Sequence, residues 1–317
     1  MKQFKSFFRA LRPIFGKTHK TTKPILSCVV DQNPKFLMQC WVWLVSAKKA
    51  GAFEDCHVII HHVGPVPDVL QQAADRFGAK VVEIESFGAG AARYCNKLQS
   101  HQPILSTKMS GAILTDVDLF FFDSPAGCWS PTHVRAKIVD RPNPPENLLS
   151  SLADILGLPA LTYEGVPTFS PETRTHALNC NGGLYALPMG ALQTLSPLWY
   201  DYASKCLLEE DVLGRWLHHA DQIGFMMSMA KTAQAFSPLD LNWNFPTHFK
   251  PDAYAGVNAD HVKIFHYHNK LSPEGRLLPI TVPEIDGKIE QANAILSAYE
   301  NLPEYKIIQA QYAASLK

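Results

Sequence analysis

Apolar positions along the chain fall into two alternating patterns, short continuous runs and longer stretches at helical spacing. Ile25-Leu-Ser-Cys-Val-Val30 is a short apolar run closed by Asp31-Gln-Asn-Pro34, a turn signal. Phe36 to Ala50 then repeats apolar residues with helical periodicity and stops at Gly51. His57-Val-Ile-Ile60 predicts the next strand, residues 67–77 a helix ended by Gly78, and Lys80 to Ile84 a third strand. A helix from about Gly90 to Ser100 leads to a fourth strand, Gly111-Ala-Ile-Leu114. Strands alternating with helices of this length require crossover connections, and so an α/β fold with a mainly parallel sheet. Ligands of such sheets sit beyond the carboxyl ends of the strands. Residues 124–175 hold eight of the 23 prolines and read as loop around one short helix near 146–156, interrupting the sheet without forming a separate domain. No internal repeat is visible. The layout is a tail over 1–23, an α/β domain over 24–286 and a helical extension over 287–317.

Composition narrows the function classes. With 46% apolar and 18% charged residues in 317, the chain can bury a large core and is not a disordered polypeptide. No window approaches the roughly 18 consecutive apolar residues of a spanning helix. The 29 basic and 29 acidic side chains supply no general basic field for coating nucleic acid. The balance hides an asymmetry: residues 1–23 carry Lys2, Lys5, Arg9, Arg12, Lys17, Lys20 and Lys23 and no acid, leaving 22 basic against 29 acidic residues in the rest. Phe4, Phe7, Phe8, Leu11, Ile14 and Phe15 recur there at helical spacing, a pattern that suits peripheral contact with an anionic membrane as well as a solvated arm. Pro13 would interrupt a long helix. Seven scattered cysteines, never C-x-x-C, read as free thiols of a reducing cytoplasm rather than a zinc site or disulfide framework. The first residues lack the apolar core and cleavage site of a secretory signal, so the expected place is the cytoplasm, with the tail on the inner face of the membrane.

The chemistry starts at Ala112-Ile-Leu-Thr-Asp116-Val-Asp118-Leu-Phe120, where two carboxylates at i and i+2 leave the end of a buried strand. In extended geometry both point to the same side, repel one another and call for a counter-cation. Oxygen ligands suit a hard divalent ion, Mg²⁺ or Mn²⁺. His266 and His268 again share one face, and either could add an imidazole. Gly182-Gly183 is either a tight turn or a place where backbone approaches a ligand closely. Asp31 either caps the first helix or lies at the end of its strand to meet a ligand. The neighbouring pairs His61-His62 and His218-His219 read as structural, and the Met226-Met-Ser-Met229 stretch as core. Neither G-x-G-x-x-G after a strand nor G-x-x-x-x-G-K-[ST] is present, which removes dinucleotide and P-loop readings.

Four motifs in order carry a family resemblance over roughly residues 24–275. They are Ile113-Leu-Thr-Asp116-Val-Asp118; Asn179-Cys-Asn181-Gly182-Gly183; His219-Ala-Asp221-Gln222 with Leu241-Asn-Trp243-Asn244; and His266-Tyr-His268-Asn269-Lys270. Together they resemble the GT-A class of nucleotide-sugar glycosyltransferases, and within it family 8, the lipopolysaccharide galactosyl- and glucosyltransferase and glycogenin group. Asn269 stands where that family usually has glycine, and the spacing from His266 to the lysine is shortened.

The resemblance implies a Rossmann-like, mainly parallel mixed sheet flanked by helices in a single domain. It also implies transfer of a hexose from a nucleotide diphosphate sugar, a UDP-sugar, to a carbohydrate or glycolipid acceptor. Asp116, Asp118 and His266 would hold the metal, and Asp31, Lys97, Asn181, Gly182, Gly183 and Lys270 would bind the donor. Asp221 and Gln222 would act at the anomeric carbon, with Gln222 on the β side of the sugar and configuration retained. An inverting enzyme would instead use a carboxylate such as Asp221 as general base. Residues 124–175 and the chain after Pro283 are expected to shape the acceptor site. Two other classes share features with the chain. A haloacid-dehalogenase-like phosphatase places D-x-D after an apolar strand, but expects Thr or Val where Phe120 stands. A non-catalytic membrane-surface adaptor would use the basic tail and let the metal site lapse.

Overall fold

The computed structural model describes residues 23–158, 165–170 and 172–317. The amphipathic tail expected over 1–23 lies, except for Lys23, outside them. The first half of the chain builds β1 (Ile25–Val30), α1 (Pro34–Lys49), α2 (Ala52–Asp55), β2 (His57–Val63), α3 (Asp68–Phe77) and β3 (Lys80–Ile84). A 3-10 segment over Gly90–Ser100 runs into α4 (His101–Leu105), then β4 (Gly111–Thr115), β5 (Leu119–Phe121) and β6 (Arg135–Ile138). There follow α5 (Glu146–Ile155), β7 (Gly165–Pro167), β8 (Arg174–His176), β9 (Cys180–Pro188), α6 (Met189–Leu208), α7 (Glu210–Leu213) and α8 (Ala220–Thr232). The chain closes with β10 (Phe245–Pro246), β11 (Ile264–His266), α9 (Pro283–Ser297) and α10 (Pro303–Ser315).

Six strands form the central sheet in the order β3-β2-β1-β4-β9-β6. The pairs β1/β2, β2/β3 and β1/β4 are parallel, whereas β9 runs antiparallel to both β4 and β6. The sheet is thus mixed and mostly parallel, as expected, and residues 124–175 contribute its edge strand β6. Strand order reverses between β1 and β4, the switch point at which open α/β sheets place their ligands.

Side chains alternate across the sheet and feed two cores. Leu26, Cys28, Val30, Ile113, Leu184 and Ala186 face one side, while Ile25, Ala112, Leu114, Tyr185 and Leu187 face the other. On the first side lies α1, buried continuously from Leu37 to Ala47 because α9 and α10 cover what the sheet does not. It starts at Asn33, whose side chain accepts from Lys35 N at 2.9 Å, with Pro34 in the first turn. The cap is therefore Asn33 and not Asp31, which leaves the Asp31 carboxylate free for another use. On the second side α6 and α8 pack together against β9 and the 3-10 segment. A smaller sheet, β10-β11-β5, branches off after β4 and carries β11 to the end of the central sheet. The helices α9 and α10 share the core of the α/β unit, and the expected start of the helical extension at 287 lies within α9. Among the described residues no helix is long and apolar enough to cross a membrane.

Candidate active site

The site grows from the end of β4. The Asp116 N–H donates to Gly183 O at 2.9 Å, extending the β4/β9 ladder one residue past Thr115. Residues 116–118 then bend instead of continuing the strand, with Val117 turned inward. Both carboxylates nevertheless face one imidazole, His266, whose Nε2 is 3.3 Å from Asp118 Oδ1 and 4.0 Å from Asp116 Oδ2. Strand pairing puts it there: His266 of β11 lies opposite Leu119 of β5, and the Tyr267 N–H donates to Asp118 O at 3.1 Å.

A chain of amides fixes the tautomer of that imidazole. The Asn181 Oδ1 accepts from Gly183 N at 2.8 Å and from Asn244 Nδ2 at 3.1 Å. This leaves Asn244 Oδ1 as the acceptor 3.0 Å from His266 Nδ1, so the proton sits on Nδ1 and the lone pair of Nε2 faces the carboxylates. Burial opposes a charged His266, but Asp118 and Asp116 outweigh it and hold its pKa above the ordinary value. A lone pair aimed at two carboxylates needs a cation between them, either a proton or a metal. Two carboxylates and an imidazole fit a divalent ion of the Mn²⁺ or Mg²⁺ type. His268 brings a second imidazole. Asp118, His266 and His268 each offer a ligand atom within 4.8 Å of the others, and the two rings stack at 3.8 Å.

Lys97 neutralises the other side. It is 7% exposed, its Nζ lies 2.6 Å from Asp116 Oδ1, and it also donates to the carbonyl of Gly182. Burial works against the charged form, but Asp116 and Asp221 outweigh it and raise the pKa above that of a free lysine. Asp221, in the first turn of α8, is 5% exposed, and burial pushes its carboxyl up to about 6 although Lys97 pulls the other way. Trp199 of α6 fixes its backbone, donating Nε1–H to Asp221 O at 2.6 Å. The next residue, Gln222, is half-buried, with Nε2 2.7 Å from His219 Nδ1.

The two glycines are explained by these neighbours. A Cβ on Gly183 would stand 2.7 Å from His266 Nδ1, and one on Gly182 would stand 3.1 Å from Gln222 Cγ. The space a side chain would occupy is taken by His266 and Gln222, which lets both stand directly over β9. Asp31 accepts from Asn96 Nδ2 at 2.8 Å at the end of β1, next to β4, and partial burial raises its pKa. Lys270 is exposed, with its backbone N–H on Tyr267 O. Beside it, the Asn269 side chain accepts from Lys35 of α1, and His268 takes the left-handed conformation at φ +53°.

The structure thus brings together Asp116, Asp118, His266, Lys97, Asn181, Gly182, Gly183, Asp221 and Gln222. Asp31 lies at the end of the adjacent strand, and Lys270 stands in solvent. Sequence reasoning missed Asp140, which accepts from Asn181 Nδ2 at 3.1 Å and forms a buried ion pair with Lys137. It also left His219 structural, although that ring holds Gln222.

No sequence-family profile matches the chain, nor does any curated relative. Among solved structures, galactosyltransferase LgtC in complex with donor and acceptor sugar analogs aligns over 90% of this chain and 99% of its own, at 13% identity and a TM-score of 0.55. An active-site mutant of LgtC aligns over the same shares at 12% identity and a TM-score of 0.56. The bifunctional glycosyltransferase WbbM aligns over 95% of this chain and 53% of its own, at 12% identity and a TM-score of 0.52. These neighbours do not favour the phosphatase or adaptor readings. At such identities the likeness is one of architecture: the chain has the single-domain GT-A fold of these glycosyltransferases, as its motifs led us to expect.

Proposed function

We propose that the protein is a metal-dependent glycosyltransferase that moves a hexose from a UDP-sugar to a saccharide or glycolipid acceptor with retention of configuration. The observation that supports this most is the convergence of Asp116 and Asp118, from the bend after β4, with His266 of β11 at the switch point of a GT-A sheet. Asp116, Asp118 and His266 would hold the ion, with His268 adjacent. When bound, a Mn²⁺ or Mg²⁺ ion supplies positive charge beside the diphosphate of the donor.

The chain's own residues do the rest. Asn244 holds the His266 proton on Nδ1, and Lys97 ties Asp116 to the carbonyl of Gly182. Asp31, at the end of β1, meets the nucleoside. Gln222 lies beside Gly182, where the anomeric carbon of the sugar would sit. In the transfer, the bond from that carbon to phosphate oxygen breaks with its electrons on the diphosphate. The acceptor oxygen bonds to the same face, and its proton passes to the departing phosphate oxygen. Asp221, beside Gln222 in the first turn of α8 and held at its backbone by Trp199, would orient hydroxyls of the donor sugar. Seven buried free cysteines suit a cytoplasmic protein, and the basic tail would add peripheral contact with anionic lipid.

Calorimetric titration with UDP and GDP, with and without Mn²⁺, tests the reading. UDP should bind with a dissociation constant of about micromolar order only when Mn²⁺ is present. Asp118→Asn should lose that dependence at an unchanged melting temperature. Absence of binding by both nucleotides overturns the proposal.

A further inference from the structure

We infer that a surface ridge of aromatic rings beside Gln222 is the platform on which the acceptor saccharide stacks. The inference rests on the glycosyltransferase reading and names a binding surface for its second substrate. The ridge has four members in contact. Tyr94 meets His218 at 5.7 Å between ring centroids, His218 meets His219 at 4.1 Å, and His219 meets Trp216 at 5.8 Å. The Arg215 guanidinium stacks on the outer ring, 4.5 Å from Trp216.

Three observations join the ridge to the site and to a sugar. The first is a direct bond, since His219 Nδ1 lies 2.7 Å from Gln222 Nε2 and Gln222 packs over Gly182. The second is the helical repeat of the 3-10 segment over Gly90–Ser100. Residues three apart share one side of such a helix, so Tyr94 stands one turn before Lys97, whose Nζ is on Asp116. The third is exposure: Tyr94 is 62% exposed, the most open aromatic side chain among the large hydrophobics, and His218 is exposed as well. Exposed Tyr94 and His218 beside half-buried His219 and Trp216, with a guanidinium at the end, match a ligand with apolar C–H faces and hydroxyls at its rim. A pyranose has both. The uridine of the donor is the competing occupant, but Asp31 and its partner Asn96 stand at the carboxyl end of β1, where the nucleoside is placed in our reading.

The test is a glycan array read in parallel with UDP titration in the presence of Mn²⁺, on the full chain and on three variants. The unaltered protein should capture pyranoside glycans. Tyr94→Ala and His218→Ala should weaken capture roughly tenfold each, whereas Tyr94→Phe, which keeps the ring, should retain it. UDP affinity should stay constant throughout. Capture unaffected by Tyr94→Ala, or loss of UDP affinity in place of glycan capture, overturns the inference. If the unaltered protein binds UDP and no glycan, the platform is refuted while the transferase reading stands. If it binds neither, the transferase reading falls first.

Discussion

Asp221 should be a residue that the fold would be more stable without. Its carboxyl is 5% exposed and its pKa is moved from 3.8 to about 6, chiefly by burial and despite the attraction of Lys97. At ~1.4 kcal/mol per pKa unit, the charged form costs the native state about 3 kcal/mol relative to the unfolded chain. The sign follows from proton counting. Between about pH 4 and pH 6 the native state keeps a proton that the unfolded chain has lost, so stability falls as pH rises through that window. Above it the full cost is present. Asp221→Asn removes the charge at nearly constant shape, and its amide oxygen can still accept from the backbone at the start of α8. The variant should therefore gain up to ~3 kcal/mol at pH 7.5, or roughly 4–5 °C in melting temperature for a chain of this length. The gain should shrink toward zero as pH falls to 4. Urea unfolding of both proteins at pH 4.5 and pH 7.5 measures it. A variant less stable than the parent at pH 7.5, or a difference independent of pH, would show that Lys97 compensates the carboxylate fully and would refute the argument. The same substitution should abolish transfer, and that outcome would mark the buried charge as a stability sacrifice made at a working site.

Three further outcomes follow from the geometry. Gly183→Ala places a methyl 2.7 Å from His266 Nδ1 and should displace the ring, weakening Mn²⁺ binding about tenfold or more and destabilising the fold by ~1–3 kcal/mol; unchanged Mn²⁺ affinity by electron paramagnetic resonance contradicts it. Asn244→Leu removes the acceptor that keeps the His266 proton on Nδ1, and should cost about 10- to 100-fold in Mn²⁺ affinity, read by calorimetry; an unaltered dissociation constant would mean the tautomer is set elsewhere. Glu304 is held below the ordinary glutamate value of 4.5, chiefly by its hydrogen bonds from Arg76 at 2.8 and 3.0 Å, so the stability it contributes is present above that pH and lost as pH falls through the lower native value. Glu304→Gln should lower the urea midpoint at pH 7 and leave it unchanged near pH 3, and equal shifts at both pH values would exclude the ion pair as the cause.

The first four strands and the helices α1 and α3 between them are legible in the sequence to within a few residues. Their apolar runs are local, and Gly51, Gly78 and the Asn33-Pro34 turn punctuate them within one or two positions. What escapes is what depends on distant partners. The run Cys180–Pro188 carries a recognisable motif, yet only its antiparallel pairing with β4 and β6 makes it the strand that backs the site. Residues 90–100 have helical spacing but wind as a 3-10 helix. The types of the site residues were readable because carboxylates, glycines and imidazoles in that order narrow the chemistry. Their mutual support was not. The bond from Asn244 to Asn181 spans 63 positions, and the Asp140 that receives Asn181 sits in a proline-rich stretch with no periodic signal. Nor could spacing tell that Gly182 and Gly183 make room for side chains of this same chain.

The two C-terminal helices bear on how the chain is made. Trp41 in α1 packs against Phe77 at 5.6 Å and against Tyr305 of α10 at 5.9 Å, so a helix made early is covered by one made much later. Roughly 250 residues separate them, and at about 5–20 residues per second α1 waits some 10–50 s with an apolar face open to solvent. During that interval it is a natural client for chaperones that hold hydrophobic helices. Premature termination anywhere before Pro283 would leave the same face permanently uncovered, so truncated products would be marked for removal by the very surface that α9 and α10 hide.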